Sequence, residues 1–130
     1  MSAQLWRALL LVALVPLGLA TKSYAGPGAD WVQAHLGGTA YVMFWIVLLG
    51  VVRPSARPLS VALAVALLTS GVEALQLVSA PALDVIRSTP VGRVLLGRTF
   101  SWWDFPYYGL GALLGWLALA VSRPRESEVP

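Results

Sequence analysis

GRTFSWWDFPYYGLGALLG, residues 97–115, decides the fold of this chain. Asp104 is followed by a run of aromatic, glycine and leucine residues that meets no further charge up to residue 121. About 20 apolar residues cross a bilayer, and tryptophans such as the two that precede Asp104 favour the membrane–water interface. The stretch therefore predicts a membrane-spanning helix over residues 105–121, with a carboxylate at its N-terminal end.

The composition of the whole chain favours the same environment. Of 130 residues, 58% are hydrophobic and only 12% are charged, whereas about a quarter of a soluble globular chain is charged. We therefore predict a single membrane domain over residues 1–130. Cysteine is absent and His35 is the only histidine, so we expect no disulfide, no metal site and no cofactor. The net charge of +3 comes from basic residues between apolar runs, which indicates lipid headgroups rather than nucleic acid as partners.

The apolar runs predict an all-α, polytopic membrane protein with four transmembrane helices. The predicted spans are residues 5–21, 31–52, 59–78 and 105–121. Between the third and fourth spans, apolar residues alternate with arginines over residues 82–98, which is typical of a short interfacial helix or a re-entrant segment. Residues 122–130 form a polar tail.

The first span has two interpretations. A basic start, an apolar core and the small-x-small sequence at residues 23–25 also fit a cleaved signal peptide. Because three further spans follow, we favour a retained helix in which Pro16 is tolerated and Arg7 extends to the headgroups. We expect Asp30, with Gln33 three residues later, to cap a second helix beginning at Trp31. Asp104 is expected to cap the fourth.

Basic residues favour one orientation in the membrane. With four spans and the N-terminus inside, five basic residues lie on the cytoplasmic side and four on the outer side. The short turn with Arg53 and Arg57 and the basic C-terminal flank carry most of this preference. We predict a multi-pass protein of the bacterial cytoplasmic (inner) membrane with both termini in the cytoplasm. Glu73 and Asp104 then lie near the outer face.

Two predicted helix faces carry the informative residues. Thr69, Glu73 and Gln76 share one face of the third span, and a carboxylate inside a span is costly enough to need a partner. A structural hydrogen bond between helices and a functional site are equally good explanations of Glu73. On the fourth span, Gly111 and Gly115 form a small-xxx-small face, together with Asp104 and Tyr108. That face suits packing inside one bundle or formation of a homo-oligomer equally well.

The chain resembles the VanZ-like family of small bacterial membrane proteins. The resemblance lies in the Glu73-x-x-Gln76 pair, in Arg98 and Asp104, and in Gly111-x-x-x-Gly115, while Trp103 and Tyr108 depart from the family pattern. It implies a role in the cell envelope, because the founding member is associated with teicoplanin resistance, without defining a reaction.

A related domain-of-unknown-function family, sometimes labelled the ribosomal maturation YjgA family, is similar over about residues 15–120. The apolar composition argues against a ribosomal role. The resemblance is carried by Thr21-Lys22-x-Tyr24-x-Gly26-Pro27, Tyr41-x-x-x-Trp45, Glu73-x-x-Gln76, Ile86-Arg87, Gly97 and Asp104-Phe-Pro-Tyr-Tyr108.

Three functions fit these residues. The first is an envelope protein that binds a lipid, a lipid-linked glycan or a glycolipid headgroup at the outer face, because arginine matches phosphate groups. The second is a structural or proton-coupled transport component in which Glu73 forms an ion pair with Arg98 or Lys22 that holds the bundle. The third, and the least favoured, is an intramembrane enzyme using Glu73 and Asp104 as acid and base, since no nucleophile accompanies them. The candidate functional cluster is Lys22, Tyr24, Glu73, Gln76, Arg87, Arg98, Asp104 and Tyr108.

Overall fold

The computed structural model of this chain describes residues 2–75, 81–92 and 102–122. These residues form four long helices and a short helix: α1 (Ala3–Ser23), α2 (Ala29–Val52), α3 (Pro58–Leu75), α4 (Pro81–Arg87) and α5 (Asp104–Val121). The four long helices are each long and apolar enough to cross a membrane. The predicted all-α fold with four spans is confirmed.

The helix ends differ from the predicted spans by a few residues. α1 is longer at both ends than residues 5–21, and α3 is described as far as Leu75, so residues 76–78 of the third predicted span lie outside the described residues. α4 covers the start of the predicted interfacial segment. Residues 93–98 of that segment and residues 123–130 of the tail also lie outside the described residues.

The start of α2 corrects the predicted capping box. The N-cap residue is Gly28, whose φ of 72° is left-handed and therefore suits glycine. This turn starts the helix at Ala29, so Asp30 already lies in the first turn and its side chain makes no capping hydrogen bond. The amide of Gln33 instead donates to the carbonyl oxygen of Tyr24 at 2.6 Å, which ties the connection to the helix.

α2 lies at the centre of the bundle and packs against α1, α3 and α5, and α5 also packs against α3. Its aliphatic side chains form the core together with residues of α3 and α5, whereas most large apolar side chains of the four long helices point outward. An apolar exterior is the arrangement that lipid favours over water. The core residues are Val42, Ile46, Val61, Ala62, Val65 and Leu119.

Two glycines allow α5 to approach α2 closely. A Cβ atom added to Gly111 would lie 2.6 Å from the carbonyl oxygen of Thr39, and one added to Gly115 would lie 2.8 Å from Cδ1 of Ile46. Small residues let helix backbones come together in this way. The small-residue face of α5 is therefore used inside the chain, for packing between its own helices.

Alternation of the long helices gives the bundle two ends. α1 and α3 run towards the end where α2 and α5 begin, and we call it the Glu73 end because Glu73 lies in the last described turn of α3. The opposite end, called the Arg7 end, holds the start of α1 and the α2–α3 turn.

Arg7 corrects a second expectation, since its side chain does not extend outward. It is 1% exposed and lies between the C-terminal turns of α2 and α5. Its guanidinium donates from Nε to Ser122 Oγ at 2.9 Å, from Nη1 to the Gly50 carbonyl at 2.9 Å and from Nη2 to the Leu119 carbonyl at 3.1 Å. The Gly50 carbonyl needs an outside donor because the residue four positions later is Pro54, which has no N–H.

Candidate functional site

Three of the long helices bring polar side chains together at the Glu73 end. α3 contributes Glu73 from its last described turn, and α5 contributes Asp104 and Tyr108, which lie four residues apart on one helix face. α1 contributes Lys22 from its last turn. The chain direction explains the meeting, since α1 and α3 run towards the end where α5 begins.

Glu73 lies at the centre of this group. It is 1% exposed, and its Oε2 accepts a hydrogen bond from the Tyr108 hydroxyl at 2.7 Å. The tyrosine ring fits against α2 at Gly38, where an added Cβ atom would lie 2.9 Å from Cε1 of Tyr108. α2 therefore supports the donor that fixes one oxygen of the buried carboxyl group.

Asp104 completes the group as a second carboxyl. Its side chain is half-buried and lies close enough to that of Glu73 for the two carboxyl groups to interact. A hydrogen bond between two carboxyl groups requires a proton on one of them, because two ionised carboxylates offer only acceptors. Asp104 is the first residue of α5 and Trp103 holds the N-cap position, so the predicted capping role is wrong. Its carboxyl group faces the neighbouring helix instead.

Lys22 adds a cation beside the two acids. Its side chain is exposed, and its ammonium interacts electrostatically with Asp104. The lysine passes over α2 at Gly37, where an added Cβ atom would lie 2.9 Å from both Cε and Nζ. The group thus combines a buried acid, a half-buried acid, a tyrosine hydroxyl and an accessible ammonium at one end of the bundle.

Comparison with known proteins identifies the family. The family described as "Protein of unknown function (DUF2809)" matches residues 28–112, which include Glu73, Asp104 and Tyr108. The chain belongs to this family. No curated protein and no solved structure matches the chain. The expected membership of a family of unknown function is confirmed for this DUF2809 protein, whereas the VanZ-like and YjgA names stay predictions.

The other members of the predicted cluster contact different residues or lie outside the described residues. Tyr24 is in the α1–α2 connection, where its hydroxyl donates to the Pro27 carbonyl at 3.0 Å. Arg87 is on α4 and pairs with Asp84 at 3.7 Å, three residues earlier on the same helix. Gln76 and Arg98 lie outside the described residues.

An aromatic group near the start of α2 was not predicted. Trp31 Nε1 donates to the Tyr107 hydroxyl at 2.8 Å, and the ring of His35 stacks on that of Tyr107 with centroids 4.6 Å apart. These contacts accompany a π-helical segment over Val32–Leu36, a departure from α-helix often found at functional sites. The spacing of Trp31 and His35 at i, i+4 is the sequence signal that they share a face.

The described residues offer no third ligand for a metal ion. Among residues 2–75, 81–92 and 102–122, no group of three histidine, aspartate or glutamate side chains is placed to hold one.

Proposed function

We propose that this DUF2809 protein takes up and releases a proton at Glu73 and Asp104, as a proton-coupled component of the membrane. One observation carries the proposal, namely that these two carboxyl groups lie close together while one of them is almost completely buried. Ionisable residues inside membrane helices are costly and commonly belong to proton relays. The Tyr108 hydroxyl, which donates to Glu73, supplies a hydrogen bond that stabilises the acid when it is ionised.

A proton path needs one acid that solvent can reach and one inside the protein, and Asp104 and Glu73 differ in exposure in this way. Glu73 is enclosed by the helices, whereas Asp104 is half-buried at the end of α5 and next to the exposed ammonium of Lys22. In this proposal a proton enters through Asp104 and passes to the neighbouring carboxyl group of Glu73. Lys22 places an exposed positive charge beside Asp104, on the solvent side of the pair.

Infrared spectroscopy of the protein in lipid vesicles tests the shared proton. We expect a C=O stretching band of a protonated carboxyl group at neutral pH, which disappears in both Glu73→Gln and Asp104→Asn. Asp84→Asn is the matched control, because Asp84 is a mostly exposed acid on α4 and its replacement should leave the band unchanged. No such band in the unaltered protein, or a band that survives both substitutions, would rule out the shared proton.

Proton movement is the second measurement. Vesicles that enclose a pH-sensitive dye should report proton flux driven by a membrane potential, and Glu73→Gln should abolish it. A Glu73–Arg98 ion pair that only holds the bundle together is the alternative. In that case Glu73→Gln and Arg98→Gln should lower the stability of the folded protein by similar amounts, and the unaltered protein should move no protons.

We keep headgroup binding as a second candidate function. It is favoured by the exposed ammonium of Lys22 beside the acids and by Trp102 and Trp103, which are 72% and 69% exposed at the start of α5. These are residue types that hold a headgroup at the interface. Mass spectrometry of co-purifying lipid, lipid-linked glycan or glycolipid should show a species that is lost in Lys22→Gln and Arg87→Gln. Equal lipid content in both variants and the unaltered protein would exclude this function.

We further propose that the protein spans the bacterial cytoplasmic membrane with both termini inside. The basis is the positive charge of Arg53 and Arg57 in the short α2–α3 turn at the Arg7 end. The Glu73 end then faces outward. Reporter fusions at the two ends of the chain test this orientation, and activity of an extracytoplasmic reporter at the C-terminus would contradict it.

A further inference from the structure

We infer that a groove at the Arg7 end, far from Glu73, binds an acidic phospholipid. The groove lies between the start of α3 and the last turns of α5, and its volume is about 500 Å³. It is lined by Arg57, Pro58, Leu59, Trp116 and Ala120. Its walls are thus apolar apart from one arginine at the rim.

The charge at the rim identifies the headgroup as anionic. Arg57 is exposed and is the last residue before α3, and among the described residues no carboxylate lies within ion-pair distance of it. Arginine binds phosphate oxygens through two parallel N–H groups, a geometry that an ammonium cannot reproduce. Basic pockets between transmembrane helices bind acidic headgroups in this manner.

The walls indicate that the anion carries an acyl chain. Leu59 is 58% exposed and Trp116 packs partly against the core, so both offer apolar surface to the groove. A free phosphate ion gains nothing from such walls, whereas the first carbons of a lipid chain replace contacts that the helices leave unmade. Pro58 begins a spanning-length helix, which puts the rim at headgroup level and the walls in the hydrocarbon region.

Native mass spectrometry of the full chain in detergent tests the site. Titration with phosphatidylglycerol should give one tightly bound lipid, and phosphatidylcholine of the same chain length should bind at least about tenfold more weakly. Arg57→Gln should weaken the binding of the first phosphatidylglycerol about tenfold, the size of one lost charge-assisted contact. Inorganic phosphate at millimolar concentration should not displace the lipid.

Two further variants separate this site from general attraction to anionic lipid. Arg53 is an exposed arginine in the same turn that does not line the groove, so Arg53→Gln should change the affinity less than twofold. Ala120→Phe fills the groove without changing charge and should also remove the bound lipid. Circular dichroism checks that each variant is folded. Equal weakening in Arg53→Gln and Arg57→Gln, unchanged binding in Ala120→Phe, or equal affinity for phosphatidylcholine would each overturn the inference.

Discussion

Replacement of Arg7 by methionine is expected to separate the helices at the Arg7 end, although it makes α1 more apolar. In the folded protein the guanidinium bridges three acceptors, namely the carbonyls of Gly50 and Leu119 and the hydroxyl of Ser122. The two carbonyls lie in the last turns of α2 and α5, where the helix dipoles are negative. A single cation therefore holds two helix C-termini against α1.

The expected loss of stability can be worked out from the hydrogen-bond acceptors that would lose their donor when methionine replaces Arg7. An unsatisfied buried polar group costs about 1–3 kcal/mol, and the Leu119 carbonyl keeps a weak contact with the Ser122 hydroxyl at 3.4 Å, so the two carbonyls together cost about 2–5 kcal/mol. Ser122 adds little, because its hydroxyl also donates to the Ala118 carbonyl at 2.6 Å. The variant no longer buries a guanidinium, which offsets part of this loss. We expect the free energy of unfolding to fall by about 3 kcal/mol.

Unfolding by denaturing detergent in mixed micelles, followed by tryptophan fluorescence, measures this change. Arg7→Lys should be intermediate, because one ammonium cannot reach three acceptors that lie in different directions. Arg53→Met is the matched control at the same end, since its side chain is exposed, and it should change the free energy by less than about 0.5 kcal/mol. If Arg7→Met is as stable as the unaltered protein, or if Arg53→Met costs as much, the buried bridge does not stabilise the bundle.

Two further predictions concern glycines and use the same unfolding measurement. Gly111→Ala should cost about 2 kcal/mol because its Cβ atom would lie 2.6 Å from the Thr39 carbonyl oxygen, whereas Gly109→Ala, with no atom within 4 Å, should be neutral or stabilising. Equal effects would show that α5 does not need Gly111 for packing. Gly28→Ala should cost about 1 kcal/mol because φ is 72°, whereas Gly71→Ala in open space within α3 should not destabilise the fold. A harmless Gly28→Ala would contradict the need for a left-handed N-cap.

The four spanning-length helices could be predicted because the signal is local. An uninterrupted apolar run must be a helix of sufficient length in a membrane, whichever neighbours it later packs against. The shared face of Asp104, Tyr108, Gly111 and Gly115 follows from the helical period in the same way. The structure puts Tyr108 of this face against Glu73 and its two glycines against α2.

The partners of Arg7, and the fact that Asp104 does not cap its helix, could not be predicted, because they depend on which helix ends meet. An arginine near the start of a span usually extends to the headgroups, and an aspartate at a helix start usually caps it. Both rules consider one helix at a time. A local signal did exist for Arg7, since a carbonyl four residues before Pro54 must find a donor elsewhere. The sequence did not indicate that this donor comes from Arg7 on α1.

The hydrogen bonds at the two ends of this bundle differ in whether they depend on a proton that can be lost. This difference matters for the proposed proton uptake. Arginine does not lose its proton in proteins, so the bridge at the Arg7 end is the same whatever happens at the other end. In the proposed function, the neighbouring carboxyl groups of Glu73 and Asp104 form a hydrogen bond only while one proton is present. Because α5 takes part in both ends, loss of that proton should move its start away from α3 while its last turn stays fixed against Arg7. If the proposed proton uptake occurs, the Arg7 end is therefore expected to act as the pivot, with the proton setting the position of α5 at the Glu73 end.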